Sequence, residues 1–137
     1  MSKLMSLLKL KDKFEDIFKR QRDFQIKLKG NLGIYLTRGK QVETSTDNDV
    51  LLNFKQEITK ETVLQLFSEV NEVLNEINWK HHADKKEVDI SKIKEEIIDI
   101  QHFVINLALL WGMDYKEFYD IFVKKNNKNY ERFIKNE

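Results

Sequence analysis

The sequence predicts an all-α protein, an antiparallel four-helix-type bundle. Three observations carry that prediction. The 137 residues include no proline and four glycines (Gly30, Gly33, Gly39 and Gly112), so the chain lacks the turn formers that a sandwich or barrel of short strands needs. Apolar side chains recur every three or four residues through long segments, the spacing of one helix face. Hydrophobic residues make up 41% and charged residues 34%, enough to bury a core and surround it with a charged surface. The length suits a single domain over residues 1–137.

Four main helices are expected. The first covers about 9–29, with Leu10, Phe14, Ile17, Phe18, Phe24 and Leu28 near helical spacing. The stretch 30–48, with three glycines and a Thr/Ser/Asp/Asn cluster, reads as a loop. A short helical or irregular piece, Asp49–Glu57, follows. The second helix runs from Thr59, the expected N-cap, to Asn78, with a broad stripe of Val63, Leu66, Phe67, Val70, Val73, Leu74 and Ile77. A polar loop, Lys80–Asp89, leads to the third helix, which starts near Ser91 and ends at Gly112 as C-cap. The fourth begins at Asp114, with Glu117 three residues on, and continues to about Phe133. Short connections make the helices antiparallel.

Several function classes are excluded. Without cysteine there is no disulfide, thiolate metal site or cysteine nucleophile. No Gly-rich phosphate loop of either common type is present. The net charge of +1 hides an uneven distribution: residues 1–40 carry 11 Lys/Arg against 4 Asp/Glu, and residues 41–99 carry 7 against 14. An acidic middle suits divalent cations, whereas a nucleic-acid binder would carry a dominant basic face. The N-terminal apolar run is broken by Lys9 and Lys11 and is not followed by a small-residue cleavage site, so it does not read as a signal peptide. No apolar stretch is long enough to span a bilayer, since Ile97–Trp111 contains Asp99, Gln101, His102 and Asn106. A cytoplasmic protein without membrane or nucleic-acid partners is expected.

The second and third helices carry acidic stripes. Glu69, Glu72 and Glu76 share one face of the former. Glu96, Asp99, His102 and Asn106 follow helical spacing on the latter, which is apolar nearly all round and therefore expected to be buried. Buried charges are costly unless paired or coordinated. Two such stripes on neighbouring antiparallel helices would ring one cavity with carboxylates, and hard divalent cations relieve their repulsion, magnesium first. The competing reading makes the glutamates of the second helix an ordinary solvated face. Histidine ligation is weaker: His81 and His82 are adjacent, and no Glu-x-x-His pattern occurs. His102 suits a hydrogen-bonding role better than a ligand role.

Glu69-x-x-Glu72, then 23 residues, then Glu96-x-x-Asp99 resembles the signature of the all-α nucleoside triphosphate pyrophosphatases, a group that includes the dimeric dUTPases, the MazG-like enzymes and phage dCTP pyrophosphatases. Further matches resemble the dimeric dUTPases. They are Trp79-Lys80-His81, Asp99-x-x-His102-Phe103, the C-terminal Lys125-Asn126-x-x-Asn129-x-x-Arg132 preceded by Tyr119, and Gln21 in the first helix. They span roughly residues 17–132 in the family's order. His82 stands where that family carries tryptophan, and Gln25 where it carries Asn or Asp near the base.

The resemblance implies hydrolysis of a deoxynucleoside triphosphate, dUTP foremost, to the monophosphate and pyrophosphate. It implies that Glu69, Glu72, Glu96 and Asp99 hold two or three Mg²⁺ and that Glu69 or Glu72 orients or deprotonates the attacking water. Lys80, Lys125 and Arg132 would contact phosphates. Gln21, Gln25, Trp79, His102, Asn106 and Asn129 would surround base and sugar, the amides offering both donor and acceptor. For Lys125, Asn126, Lys128 and Arg132 the residues alone fit a solvated face equally well. Rival readings are a dCTP pyrophosphatase, a broad MazG-like enzyme and a non-catalytic helical interaction protein. The apolar third helix leads us to expect a homodimer or higher homo-oligomer. The segment from Lys124 onward is expected to be mobile and to close over bound nucleotide.

Overall fold

The computed structural model describes residues 12–45 and 47–134. Among the described residues there are five helices and no strand. Helix α1, Lys13–Leu28, is capped by Asp12, whose carboxylate accepts from the N–H groups of Phe14 and Glu15 at 3.0 and 3.2 Å. Residues 9–11 of the expected first helix lie outside the described residues. The chain turns at Lys29, whose φ of 57° is left-handed, and Gly30.

The expected loop at 30–48 is corrected: most of it is a helix, α2, Asn31–Ser45. Gly33 explains the misreading. A Cβ there would collide with the backbone carbonyl of Gln25, so this glycine permits close approach of α2 to α1 and does not mark a loop. Leu32, Tyr35 and Leu36 give α2 its inner face.

The irregular piece and the second helix merge into α3, Asn48–Asn75. Its 28 residues make it about 42 Å long at 1.5 Å per residue. Its cap is Asp47, which accepts from Asp49 N–H at 2.8 Å. Thr59 is therefore not an N-cap. Its hydroxyl donates to the Lys55 carbonyl at 2.7 Å and accepts from the Trp111 indole N–H at 3.0 Å. Without proline or glycine between 48 and 75, nothing interrupts the helix there. A connection without regular structure follows, braced by Asn78, whose side-chain amide bonds both the carbonyl and the N–H of Lys86 at 2.9 Å.

Helix α4, Ile90–Leu110, starts beside Ser91 as expected, with Asp89 as its cap. Gly112 ends it as expected: φ is 78°, Met113 N–H reaches the Ala108 carbonyl and Gly112 N–H the Leu109 carbonyl, the paired bonds of a Schellman stop. Helix α5, Tyr115–Phe133, is capped by Asp114, which accepts from Glu117 N–H at 2.8 Å.

The core gathers around the C-terminal half of α4. Ile105, Ala108 and Leu109 pack with Phe18, and Leu110 packs with Leu32, Tyr35 and Ile58. α5 joins through Phe118, whose ring meets Phe14 and Phe18 edge-on with centroids 5.5 Å apart. The N-terminal half of α4 contributes no buried residue, and its ion pair and carboxylates face α3. The expectation that α4 is covered nearly all round therefore holds for only part of it. Ile97 is 50% and Ile98 54% exposed. Among the described residues no single helix is long and apolar enough to cross a membrane.

Candidate active site

A cleft of about 570 Å³ opens between α1, the start of α2, α3 and α4. Helical spacing sets its walls. On α3, Thr62, Gln65 and Glu69 are three and four residues apart and share a face. On α4, Asp99, His102 and Asn106 do the same. From α1 come Gln21 and Gln25, one turn apart.

The carboxylates converge in part. Oxygens of Glu69, Glu96 and Asp99 lie within 4.8 Å of one another, all on half-buried side chains. Glu72 is exposed and stands outside this trio. Glu76 is diverted to an ion pair with Lys92 Nζ at 3.1 Å. Partial burial holds the Glu96 carboxyl above the usual carboxylate range, and the negative charges of Asp99, Glu72, Glu69 and Glu76 push the same way. The Lys92 ammonium is held above its usual range by its hydrogen bond and attraction to Glu76. The donors are carboxylate oxygens, with no imidazole or thiolate among them, so the set fits a hard divalent cation.

Farther along α4 the cleft turns from charge to amide chemistry. Gln21 Nε2 donates to Asn106 Oδ1 at 2.8 Å, a bond between buried side chains 85 residues apart in sequence. His102 is exposed beside the cleft, and Phe24 and Phe103 supply aromatic wall.

Other expected site residues stand elsewhere. Trp79 and Lys80 border a smaller hollow of about 180 Å³ beyond the end of α3, with the Lys80 ammonium 5.3 Å from the Trp79 ring centre. Lys125, Asn129 and Arg132 are exposed on α5 and do not line the cleft, and the Arg132 guanidinium rests 5.1 Å from the Phe133 ring centre. Sequence reasoning passed over Glu61, Thr62, Gln65 and Asn31, which also line the cleft. Thr62 and Gln65 were legible as the residues seven and four positions before Glu69 on its own face.

The sequence model of the dUTPase family matches residues 31–135, most of the chain and all of the acidic trio. A dCTP pyrophosphatase of Enterobacteria phage T4 is 28% identical over 143 residues, covering 89% of this chain and 81% of the relative. No solved structure matches the chain. A carboxylate trio, Glu69 with Glu96 and Asp99, on facing helices and a family match across α2 to α5 lead to one conclusion: the chain belongs to the dUTPase family and is a nucleoside triphosphate pyrophosphohydrolase.

Proposed function

We propose that this enzyme cleaves a pyrimidine deoxynucleoside triphosphate, dUTP first, to the monophosphate and pyrophosphate. One observation carries the reading: Glu69 and Asp99 of the acidic trio line the same cleft as the buried amide pair. Asp99 and Asn106 are seven residues apart on one face of α4, about 10 Å at the rise of a helix. That spacing suits phosphates at one end and a base at the other.

Glu69, Glu96 and Asp99, with Glu72 alongside, are the residues that would hold two or three Mg²⁺. Bound magnesium supplies charge neutralisation for the triphosphate and a water of lowered pKa. Glu69 or Glu72 orients the attacking water and accepts its proton. Gln21 and Asn106 bond the base edge, and Gln25 and His102 flank base and sugar. Lys80, Lys125 and Arg132 bind phosphate oxygens, with Trp79 and Asn129 beside the base. They reach the substrate when the C-terminal segment closes or when a second copy completes the site. Support for a homodimer comes from the exposed apolar side chains Leu64, Phe67, Val70 and Leu74 on α3 with Ile97 and Ile98 on α4, more unpartnered surface than a monomer normally leaves in water. We place the enzyme, as one domain over residues 1–137, in the cytoplasm. A second reading, dCTP as the preferred substrate, is favoured by the name of the phage T4 relative.

The test is a screen of dUTP and the canonical dNTPs and NTPs with Mg²⁺, reading pyrophosphate. The proposal expects release from dUTP that stops on chelation. Release from none of them would overturn it.

A further inference from the structure

We propose that Gln21 and Asn106 form a reversible base reader, two amides that flip together and so accept either uracil or cytosine in the same cleft. The inference rests on the pyrophosphohydrolase reading above and concerns which bases that site takes.

Both side chains are buried, at 8% and 6% exposure, and each lines the cleft. Gln21 Nε2 donates to Asn106 Oδ1 at 2.8 Å. That leaves Gln21 Oε1 as an acceptor and the Asn106 Nδ2 group as a donor. Among the described residues no buried side-chain polar atom lacks a partner, so these two unpaired atoms are accessible, and both residues line the cleft. Neither amide makes another side-chain hydrogen bond among the described residues, so nothing else fixes its polarity.

The oxygen and nitrogen of a primary amide are close in size and exchange places on a half-turn of the last torsion. In a hydrogen-bonded pair, one partner must present nitrogen inward and the other oxygen. If only one amide turned, two oxygens or two NH₂ groups would face each other, and a buried hydrogen bond would be lost, leaving polar atoms unpaired. The two therefore turn together. In either state the pair offers the cleft one donor and one acceptor, and the flip exchanges them.

The bases differ by the same exchange. Along the edge from position 3 to position 4, uracil presents a donor (N3–H) and an acceptor (O4). Cytosine presents an acceptor (N3) and a donor (the 4-amino group). Each matches one state of the pair with the same number of hydrogen bonds. A carboxylate in place of either amide removes this freedom, because it only accepts.

Three measurements test the reader. For the wild-type enzyme with Mg²⁺, kcat/KM for dUTP and dCTP is expected to agree within about tenfold, because both edges are fully bonded. A preference beyond about a thousandfold for one base overturns the reader, and because pyrophosphate is still released, the reaction assignment stands. Gln21→Glu, assayed at pH 8, turns two acceptors toward the base and should lower kcat/KM for both substrates by about tenfold or more. A loss confined to one of them overturns the reader. The third measurement uses the wild-type protein and does not depend on a variant folding. With non-hydrolysable α,β-imido dUTP and then its dCTP counterpart, the side-chain NH₂ signals of Gln21 and Asn106 are followed by NMR. One residue's NH₂ should shift with the first base and the other's with the second, and the same NH₂ responding to both overturns the proposal. If neither triphosphate were hydrolysed, the reaction assignment would fall, and these signals would still decide the reader.

Discussion

Along α4, Ile105 and Leu110 are fully buried, while Ile97 and Ile98 are 50% and 54% exposed. Both halves carry apolar runs, but the N-terminal one is interrupted by Lys92, Lys94, Glu95, Glu96 and Asp99 and the C-terminal one by no Asp, Glu, Lys or Arg. They differ in their neighbours. The C-terminal half is enclosed by α1, α2 and α3 and packs with Phe18, Leu32, Tyr35 and Ile58. The N-terminal half has no buried residue and carries Glu96 and Asp99 toward Glu69. Stability is concentrated at one end of the helix and charge at the other. The charged end is destabilising by itself: like charges and partial burial raise the Glu96 pKa, a conflict that a bound cation relieves. The arrangement lets α4 serve as a rigid spacer, anchored by its core half, that holds the acidic half in register with α3.

The sharpest way to break this comparison is truncation in each half. Ile105→Ala should cost about 2–5 kcal/mol, the range for emptying a packed core site. Ile97→Ala should cost under about 1 kcal/mol in the monomer, because little apolar area is withdrawn from water there. Urea denaturation of both variants at low protein concentration checks the contrast, and equal losses would contradict it.

The acidic half should behave in the opposite way. Glu69→Gln and Asp99→Asn are expected to lower turnover by about 100-fold or more, since each removes a ligand charge while keeping its shape. The melting temperature of the metal-free protein should hold or rise, because repulsion is relieved. A variant that lost both activity and several degrees of melting temperature would assign its carboxylate a structural pairing role.

The exposed isoleucines sharpen the comparison in another direction. Ile97→Lys or Ile98→Lys should shift the protein toward monomer in light scattering, with little change in helix content, because an obligate interface is as apolar as a core cut in half. A wild-type protein that is already monomeric at micromolar concentration would refute the homodimer.

The smallest effect is in pH. The Glu96 carboxyl binds a proton more readily in the folded than in the unfolded chain. Its contribution to stability is therefore fully present below the unfolded-state pKa and is lost as pH rises through the raised folded-state value. Measured with a chelator present, the stability difference between wild type and Glu96→Gln should follow that course across the mildly acidic range. A flat difference would show that neither burial nor the neighbouring carboxylates act on Glu96.

Local physics was legible from the sequence alone. The absence of proline, the stop at Gly112, the cap at Asp114 and the acidic stripes each depend on residues within about two turns of one another, and each appears where the pattern put it. Only the tertiary structure decided which faces meet. Gly33 looked like a loop residue until α1 lay against it. Glu69 and Glu76 share a stripe, yet one turns to Asp99 and the other to Lys92. Gln21 and Asn106, 85 residues apart, form one donor–acceptor unit. Helical spacing fixes which residues share a stripe, but the rotation of each helix against its neighbours is set by packing between distant segments, and no local pattern encodes it.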